Sequence, residues 1–197
     1  MELIVKDPIA LFQEWLRDAK KSEPNDPNAM CLATATKNGI PSSRMVLLKN
    51  VDEHGFAFNT NKTSNKAKDL LQNPVASLTF HWKSLRRQVR VVGRVEQTTQ
   101  EQNDAYFQTR STISRLGAWA SNQSQPLQDK KILINRIEKL EKQYNKQEYI
   151  PCPEHWGGFT IIPESIEFWI DGENRLHDRF VVKKDMDGSW HQQRLYP

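Results

Sequence analysis

Short strand-like segments joined by turn residues are the feature that most constrains the fold of this chain. Strands are predicted at residues 29–36, 41–51, 55–61, 75–82, 85–98, 156–162 and 190–195. Turn residues such as Asn38-Gly39 and Asp187-Gly188 separate neighbouring segments, and such short connections join antiparallel strands. So many short strands around one core favour a mainly antiparallel sheet that closes toward a barrel.

Helices precede and interrupt the strands. Asp7-Pro8 combines a capping residue with a proline in the first turn, which predicts an N-terminal helix. Its apolar face is formed by Leu11, Phe12, Trp15 and Leu16. Residues 101–120 indicate one helix or two shorter pieces, and residues 127–144 indicate an amphipathic helix with Ile134, Ile137 and Leu140 inside. The predicted fold class is therefore α+β, with a mainly antiparallel sheet that favours a barrel and with flanking helices.

One domain accounts for the whole chain. With 197 residues the chain can build one substantial core. Residues 1–28 are assigned to an N-terminal helix and arm, and residues 29–197 to a barrel with helical insertions and a C-terminal hairpin. No apolar run approaches the roughly 18 residues of a membrane span, and the N-terminus lacks the pattern of a signal peptide. Cys31 and Cys152 stand far apart, which favours reduced thiols in a cytoplasmic protein without a membrane partner.

The charge balance favours anionic partners. The formal net charge is +4 and the pI is near 9.0. Phosphorylated small molecules fit this charge as well as nucleic acid does; no block of Lys and Arg and no aromatic–basic RNA motif is present, so nucleic acid is not a predicted partner. The five histidines form no His-x-x-x-His pair, so no metal site is predicted. Neither a P-loop nor a Gly-x-Gly-x-x-Gly turn occurs.

The segment 168–179 carries the first candidate site. A turn at Asp171–Asn174 predicts a β-hairpin. If the segment after the turn is extended, Arg175, His177 and Arg179 point to one side, because alternate residues of a strand share a face. Arg and His suit directional contacts to anions. A charged strand is also commonly a solvated surface, so the residues alone leave both interpretations open.

A helix start and a neighbouring strand form the second candidate. Residues 63–71 predict a helix capped by Thr63 or Ser64, with Lys66 in its first turn, where free N–H groups favour an anion. Arg44 and Lys49 flank an apolar strand segment and have opposite parity, so they face opposite sides unless a bulge intervenes. The structural alternative is a lysine on an exposed helix and two cations that flank a buried strand.

Two further sequence patterns indicate residues that could contact a ligand. Tyr106, Arg110 and Ser114 recur at a spacing of four, which in one helix forms a stripe that can hold a phosphate. The spacing can equally arise by chance in a long polar helix. In the strand 85–98, one face is unusually basic and indicates either a solvated surface or a cofactor or subunit contact. That face carries Arg86, Gln88, Arg90, Val92 and Arg94.

Several separated blocks, in the same order, resemble the pyridoxamine (pyridoxine) 5′-phosphate oxidase family. They are Ser43–Lys49, Arg87–Gly93, Gly117–Ser121 with Gln123-Ser124, Trp156-Gly157-Gly158, Ile166–Trp169, Arg175–Arg179 and Arg194–Pro197. The resemblance runs from about residue 29 to the C-terminus. It implies an FMN-binding split β-barrel that works as a homodimer, with two flavins at the subunit interface.

The resemblance also implies site residues. FMN would contact Arg44, Met45, Val46, Leu47, Leu48, Lys49, Asn59, Thr60, Asn65, Lys66, Gln88, Gln123, Ser124, Trp169 and Arg179. The substrate phosphate would meet Lys49, Tyr106, Arg110 and Ser114, while Arg175, Leu176 and His177 would face the pyridine ring, with Arg175 and His177 as catalytic residues. The family usually has Arg where this chain has Asn65, and commonly an aromatic residue where it has Asn59.

The implied reaction is oxidation of pyridoxamine 5′-phosphate or pyridoxine 5′-phosphate to pyridoxal 5′-phosphate, with O2 reduced to H2O2. One alternative is another FMN oxidoreductase on the same barrel, acting on a phenazine precursor or another heteroaromatic. A second is a non-catalytic protein that binds flavin or pyridoxal phosphate. A nucleic-acid-binding barrel has only the basic pI in its favour.

Overall fold

The computed structural model describes residues 5–145 and 147–197, so the first four residues of the predicted arm lie outside it. The helices are α1 (Pro8–Ser22), α2 (Asn65–Gln72), α3 (Gln100–Gln108), α4 (Thr112–Ala120) and α5 (Lys130–Gln143). The strands are β1 (Ala29–Ala35), β2 (Pro41–Leu47), β3 (Asn50–Asp52), β4 (Gly55–Asn61), β5 (Val75–Trp82), β6 (Arg87–Gln97), β7 (Trp156–Ile170), β8 (Asp178–Lys184) and β9 (Trp190–Leu195).

The nine strands of the described residues join one antiparallel sheet that curls into a half-barrel. The order along its main path is β2-β1-β5-β6-β7-β4-β3, and β8 and β9 extend from β7. The ends of the path approach each other where Lys49 N–H donates to Ala57 O at 2.8 Å. This architecture confirms the predicted α+β split barrel.

The longest strand, β7, organises the sheet. One of its edges pairs with β6, while the other pairs first with β4 and then with β8. Glu164 is an extra residue in the β6–β7 ladder, so the register shifts between Val92 and Gly93. Such a bulge bends a strand and increases its twist, and here it lies where the second edge of β7 changes partner.

The core lies inside the curl, and α1 packs on it. Phe12 is fully buried, and its ring centroid lies 4.8 Å from those of Phe56 and Phe80. Asp7 accepts hydrogen bonds from the backbone N–H groups of Ile9 and Ala10, so the predicted cap is confirmed. The predicted alternation of β6 is also confirmed, because its valines at 89, 91 and 95 are buried and its arginines at 90 and 94 are exposed.

A second, smaller apolar cluster joins α3, α4 and the start of β7. It consists of Phe107, Leu116, Ile150 and Trp156. By contrast, α5 has no buried residue, and Leu140 is only partly buried against this cluster. The prediction that Ile134 faces the inside is wrong for the single chain, since this side chain is 44% exposed. Of the described helices, none is long and apolar enough to cross a membrane.

The predicted strand 41–51 is interrupted. β2 ends at Leu47 and β3 begins at Asn50. Between them Leu48 is buried, and its N–H donates to Asn28 O at 2.9 Å. Because of this break, the alternation of a regular strand does not decide which sides Arg44 and Lys49 face.

Gly93→Ala tests the bulge. A Cβ at Gly93 would lie 1.9 Å from Ile162 O and 2.8 Å from Ile162 C, which are backbone atoms of the paired strand. We expect the free energy of unfolding to fall by about 2–3 kcal/mol, because the strands must separate locally to admit the methyl group. Denaturant unfolding of the ligand-free protein measures this.

The matched control is Gly117→Ala within α4, where a Cβ meets nothing within 4 Å. This change should stabilise the protein by about 0.5–1 kcal/mol through helix propensity. Equal stability of the Gly93→Ala variant and the original protein would contradict the close packing at the bulge.

Candidate functional site

A cavity of about 840 Å³ lies between β2, β4, the start of α2, α4 and the loop after α4. It brings together most of the residues predicted to bind FMN and some predicted to bind substrate. Those in its lining are Arg44, Met45, Val46, Leu47, Lys49, Asn59, Thr60, Asn65, Lys66, Arg110, Ser114, Gln123 and Ser124. Leu48 is not in the lining, because its side chain belongs to the core.

Arg44 and Lys49 line the same cavity. The expectation that they face opposite sides holds only for an unbroken strand, and the break after Leu47 provides the exception. Lys49 follows this break, where its own N–H bonds to Ala57 O in β4. The irregular backbone therefore directs two cations to one place.

Lys66 is buried, with 9% of its surface exposed, and no carboxylate of the described residues bonds to it. Its ammonium donates to Gln123 Oε1 at 2.7 Å, to Thr60 Oγ1 at 3.1 Å and to Ser64 Oγ at 3.4 Å. Burial, and then the nearby charge of Arg44, lower the pKa of Lys66. A charged amine with only neutral partners in such a place favours an added anion.

Arg44 has only a distant carboxylate partner. Its guanidinium donates to Thr34 Oγ1 at 2.8 Å and to Ser42 Oγ at 2.5 Å, and it lies 3.9 Å from Asp69 Oδ2. Burial lowers the pKa of Arg44, and the charge of Asp69 opposes that shift. Among the described residues, Asp69 is the carboxylate near Arg44 and none bonds to Lys66, so the local charge is positive.

The start of α2 adds backbone donors. Ser64 occupies the cap position, as predicted, but its side chain caps no backbone N–H. The N–H of Asn65 donates to Ser124 Oγ at 3.3 Å, which brings the loop after α4 against the helix start. Helix N-termini of this kind bind phosphate groups. The donor set therefore fits the phosphate of FMN, with Asn65 as a neutral side chain where the family usually has a cation.

Arg110 lies between two helices, not within one. α3 ends at Gln108 and α4 begins at Thr112, so the prediction that Tyr106, Arg110 and Ser114 form one helical stripe is wrong. The guanidinium of Arg110 lies 4.8 Å from the ring centroid of Trp156. Burial lowers its pKa, and its Nη1 is a buried donor without a partner among the described residues. This unsatisfied cation also favours an anionic ligand.

Tyr106 and Arg110 both lie against the ring of Trp156. The rings of Tyr106 and Trp156 are nearly parallel, with centroids 6.2 Å apart. Tyr106 lines an adjoining cavity of about 880 Å³, which shares Lys49 and Asn59 with the first. Trp156 is a site residue that sequence reasoning did not assign, although it begins the Trp-Gly-Gly block that carries the family resemblance.

A second cluster lies at the far end of β7. Gln88, Trp169 and Arg179 are direct neighbours across β6, β7 and β8. The ring of His177 packs on Trp169, with centroids 4.7 Å apart. The cavity that contains Lys66 is lined by none of these four residues, and by neither Arg175 nor Leu176.

The predicted row of Arg175, His177 and Arg179 is wrong. Residues Glu173–Arg175 form a 3-10 turn, and β8 begins only at Asp178. Arg175 has a φ of 64°, in the left-handed region that non-glycine residues rarely adopt. Such backbone strain is concentrated at functional sites. The hairpin itself is confirmed, since β7 and β8 pair directly.

Glu167 is a second residue that sequence reasoning missed. It is 7% exposed and accepts from Arg179 Nε at 2.9 Å, and it also contacts Arg90. Arg179 Nη1 donates to Tyr196 O at 3.0 Å. These contacts fix the direction of Arg179. The only signal in the sequence is the place of Glu167 on the strand beside Trp169.

Two family models match this chain over separate ranges. Residues 16–144 match the family described as pyridoxamine 5′-phosphate oxidase. Residues 156–197 match the region described as pyridoxine 5′-phosphate oxidase C-terminal dimerisation region. A pyridoxine/pyridoxamine 5′-phosphate oxidase from Gluconobacter oxydans (strain 621H) is 54% identical over 191 residues, which cover 97% of this chain and 94% of that protein.

Solved structures share the fold. PhzG from Burkholderia lata 383, in complex with tetrahydrophenazine-1-carboxylic acid, has 30% identity and a TM-score of 0.92, over 98% of this chain and 93% of that one. A pyridoxamine 5′-phosphate oxidase-related, FMN-binding protein from Nostoc punctiforme PCC 73102 has 17% identity and a TM-score of 0.77, over 97% and 98%. The second likeness concerns the fold alone.

The thiol of Cys152 provides a test of the environment near Arg110. Cys31 and Cys152 are both free and half-buried, and the cytoplasmic location inferred from them remains a prediction. Burial, followed by the charge of Asp104, raises the pKa of Cys152 to about 11. About one thiol in a thousand is then ionised at pH 8, against roughly a quarter in an unfolded chain with a pKa of about 8.5.

Because only the thiolate is alkylated, we expect iodoacetamide to label Cys152 of the folded protein at least about 100-fold more slowly than in urea. The labelling rate should rise with pH up to about 11. Mass spectrometry of the peptide that contains Cys152 measures both rates. Equal rates at pH 8 in the folded and unfolded protein would contradict the raised pKa.

Proposed function

The chain belongs to the pyridoxamine 5′-phosphate oxidase family, and from that premise we propose how its residues act in the reaction. The chain is an oxidase that converts pyridoxamine 5′-phosphate or pyridoxine 5′-phosphate to pyridoxal 5′-phosphate, with FMN as the proposed cofactor and O2 as the proposed electron acceptor. FMN, when bound, supplies the two-electron oxidation and the subsequent reduction of O2 to H2O2.

The charge of the cavity that contains Lys66 is the observation that supports this proposal most strongly. Its lining contains four cationic residues, Arg44, Lys49, Lys66 and Arg110, and no Asp or Glu. A cavity of about 840 Å³ falls in the size range of small-molecule and cofactor sites. Two phosphorylated aromatic molecules, a flavin and a pyridine, account for four cations in such a cavity.

The cofactor phosphate is proposed to bind at the start of α2. Lys66 and Arg44 supply charge there, while Ser124 and the first N–H groups of α2 supply donors. Asn65 contributes a neutral donor at most. Residues 45–47 and Lys49 of the cavity wall would hold the isoalloxazine ring.

The substrate phosphate is proposed to bind near Arg110. Lys49 and Ser114 share its cavity, and Tyr106 adjoins them through Trp156. Binding energy at the phosphate, which does not react, can hold the carbon that does react in a productive position. Arg175 and His177 are proposed to hold the pyridine ring and its amine or hydroxyl substituent.

A homodimer is proposed to complete the site. Trp156 and Trp169 lie 13 residues apart in β7, which corresponds to roughly 40 Å of strand. The hairpin cluster of one protomer therefore cannot reach the cavity of the same protomer without a large distortion. We propose that Gln88, Trp169 and Arg179, together with Arg175, Leu176 and His177, complete the cavity of a second copy. The match of residues 156–197 to a dimerisation region supports this arrangement.

One alternative substrate class has a specific observation in its favour. PhzG, whose structure contains a phenazine derivative, is similar over nearly the whole chain. An enzyme for such substrates has no use for a cavity that collects Lys49, Arg110 and Ser114 around a phosphate. Oxygen uptake with phosphorylated and dephosphorylated vitamers separates the two classes: the proposed oxidase should use only the phosphorylated forms efficiently. Equal rates with both forms would contradict the proposal.

Lys66→Met tests the cofactor site with two effects of opposite sign. Loss of the buried charge should weaken FMN binding about 100-fold, as expected for removal of one partner of a buried charged contact. The ligand-free protein should be equally stable or more stable, by up to about 2 kcal/mol, because the variant no longer buries an ammonium with neutral partners only.

The matched control is Lys68→Met, in the same helix, where the side chain is exposed. It changes the net charge equally and should leave FMN affinity and stability nearly unchanged. Flavin fluorescence titration and thermal unfolding of the ligand-free proteins measure the two quantities. Unchanged FMN affinity in Lys66→Met would contradict the proposed phosphate site.

Arg175→Leu separates catalysis from cofactor binding. This variant should retain bound FMN and lose turnover by about 10–100-fold, because a cation that orients the substrate is lost while the cavity with Lys66 is intact. Steady-state peroxide production and the visible spectrum of bound flavin measure the two properties. Unchanged turnover would remove Arg175 from the mechanism.

A further inference from the structure

Asp171 lies beside His177 and has no role in the mechanism described so far. It begins the loop between β7 and β8, and its side chain is 15% exposed. Its Oδ1 lies 3.0 Å from Nδ1 of His177, and its Oδ2 contacts the guanidinium of Arg86. A carboxylate in this position can control which ring nitrogen of the histidine carries the proton.

Two groups compete for the same ring nitrogen. The backbone N–H of Gly172 points at Nδ1 of His177 from 3.1 Å, which requires a lone pair there. Asp171 Oδ1 is equally near Nδ1 and, because a carboxylate oxygen can only accept, a hydrogen bond between the two needs a proton on Nδ1 instead. A neutral imidazole nitrogen can satisfy one of the two but not both. The tautomer of His177 therefore depends on which interaction is stronger.

The carboxylate is the stronger partner. A hydrogen bond with an ionised group is roughly twice as strong as one between neutral groups. The contact of the Arg86 guanidinium with Oδ2 holds the carboxylate of Asp171 from its other oxygen. We propose that Asp171 is a positioning residue that holds the proton of His177 on Nδ1, so that Nε2 presents a lone pair.

The loop is built to keep these groups together. The N–H of Asp171 donates to Arg86 O at 3.0 Å, which ties the end of β7 to the turn before β6. A Cβ at Gly172 would lie 2.1 Å from Leu176 O, so the backbone closes tightly around His177. Trp169 packs on the imidazole from 4.7 Å. The ring is thus held by its Nδ1 edge and by one contact with an aromatic ring.

The consequence for the reaction rests on the proposed function. The amine or hydroxyl group of a phosphorylated pyridine substrate is a hydrogen-bond donor, and a lone pair at Nε2 can accept from it. With the opposite tautomer, Nε2–H would face that donor and repel it. Asp171 therefore acts through His177 and touches neither substrate nor cofactor.

Nitrogen NMR of the ligand-free protein tests the tautomer without any activity measurement. Spectra are recorded at about pH 9, more than two units above the ordinary imidazole pKa of about 6.5. A His177→Asn variant assigns the signals. We expect Nδ1–H in the original protein and a shift to Nε2–H in Asp171→Asn, where the bond from Gly172 prevails. An Nε2–H tautomer in the original protein, or no change in Asp171→Asn, would overturn the proposal.

Asp185→Asn is the matched control. Asp185 also pairs with a histidine, His191, at 2.7 Å, but between β8 and β9 and away from the loop. This variant removes the same charge and should leave the His177 signals and the turnover unchanged. A change of the His177 tautomer in this control would attribute the effect to net charge and refute the specific role of Asp171.

A double-mutant cycle with His177 tests the route of the effect. Asp171→Asn should lower kcat/KM for pyridoxamine 5′-phosphate roughly tenfold, the size expected for coupling between contacting residues. In the His177→Asn background the same change should have no further effect. An equal tenfold loss in that background would show that Asp171 acts on the loop and not through His177, against the proposal.

The proposed function and the role of Asp171 can be refuted independently of each other. If the original protein with bound flavin oxidises no phosphorylated vitamer, the proposed function is wrong, and the NMR result still decides the proposal about Asp171. If the oxidase is active but the tautomer does not depend on Asp171, only the role of Asp171 is refuted.

Discussion

The length of β7 sets the arrangement of both candidate clusters. This strand of 15 residues pairs with β6 along one edge and is shared between β4 and β8 along the other. Its first residue, Trp156, contacts the cavity, and Trp169 near its end holds His177. An extended strand keeps its ends far apart. This separation is the reason for the proposal that the two clusters come together between two copies of the chain.

The electrostatics of the cavity connect binding with stability. Lys66, Arg44 and Arg110 are partly or fully removed from water, and burial lowers the pKa of each. Such desolvation opposes folding unless an anion compensates it. The cost is concentrated where phosphate groups are proposed to bind, so ligand binding also stabilises the fold. Unfavourable arrangements of this kind, here cations removed from water, are typical of functional sites.

Local patterns predicted the regular elements well. The strands β4, β5 and β9 begin and end at the predicted residues, because alternation and turn residues act over a few positions. Predictions that extended a regular period across a break were wrong. Arg110 lies in a linker and not on a helical stripe, and Arg175 has a left-handed conformation in place of an extended one. The break at Arg110 has no proline or glycine to signal it, and the predicted turn at Asp171–Asn174 does not indicate that the irregular backbone continues through Arg175.

By itself the sequence determined the strand alternation, the antiparallel α+β fold and the set of cations and donors that a phosphorylated ligand requires. These features follow from residue type and short-range spacing. Only the tertiary structure decided that Arg44 and Lys49 line one cavity, that Arg110 rests on Trp156, and that Asp171 meets His177. Each of these contacts depends on irregular backbone between elements, where the direction of a side chain is set by packing and hydrogen bonds from distant parts of the chain and not by a period along it.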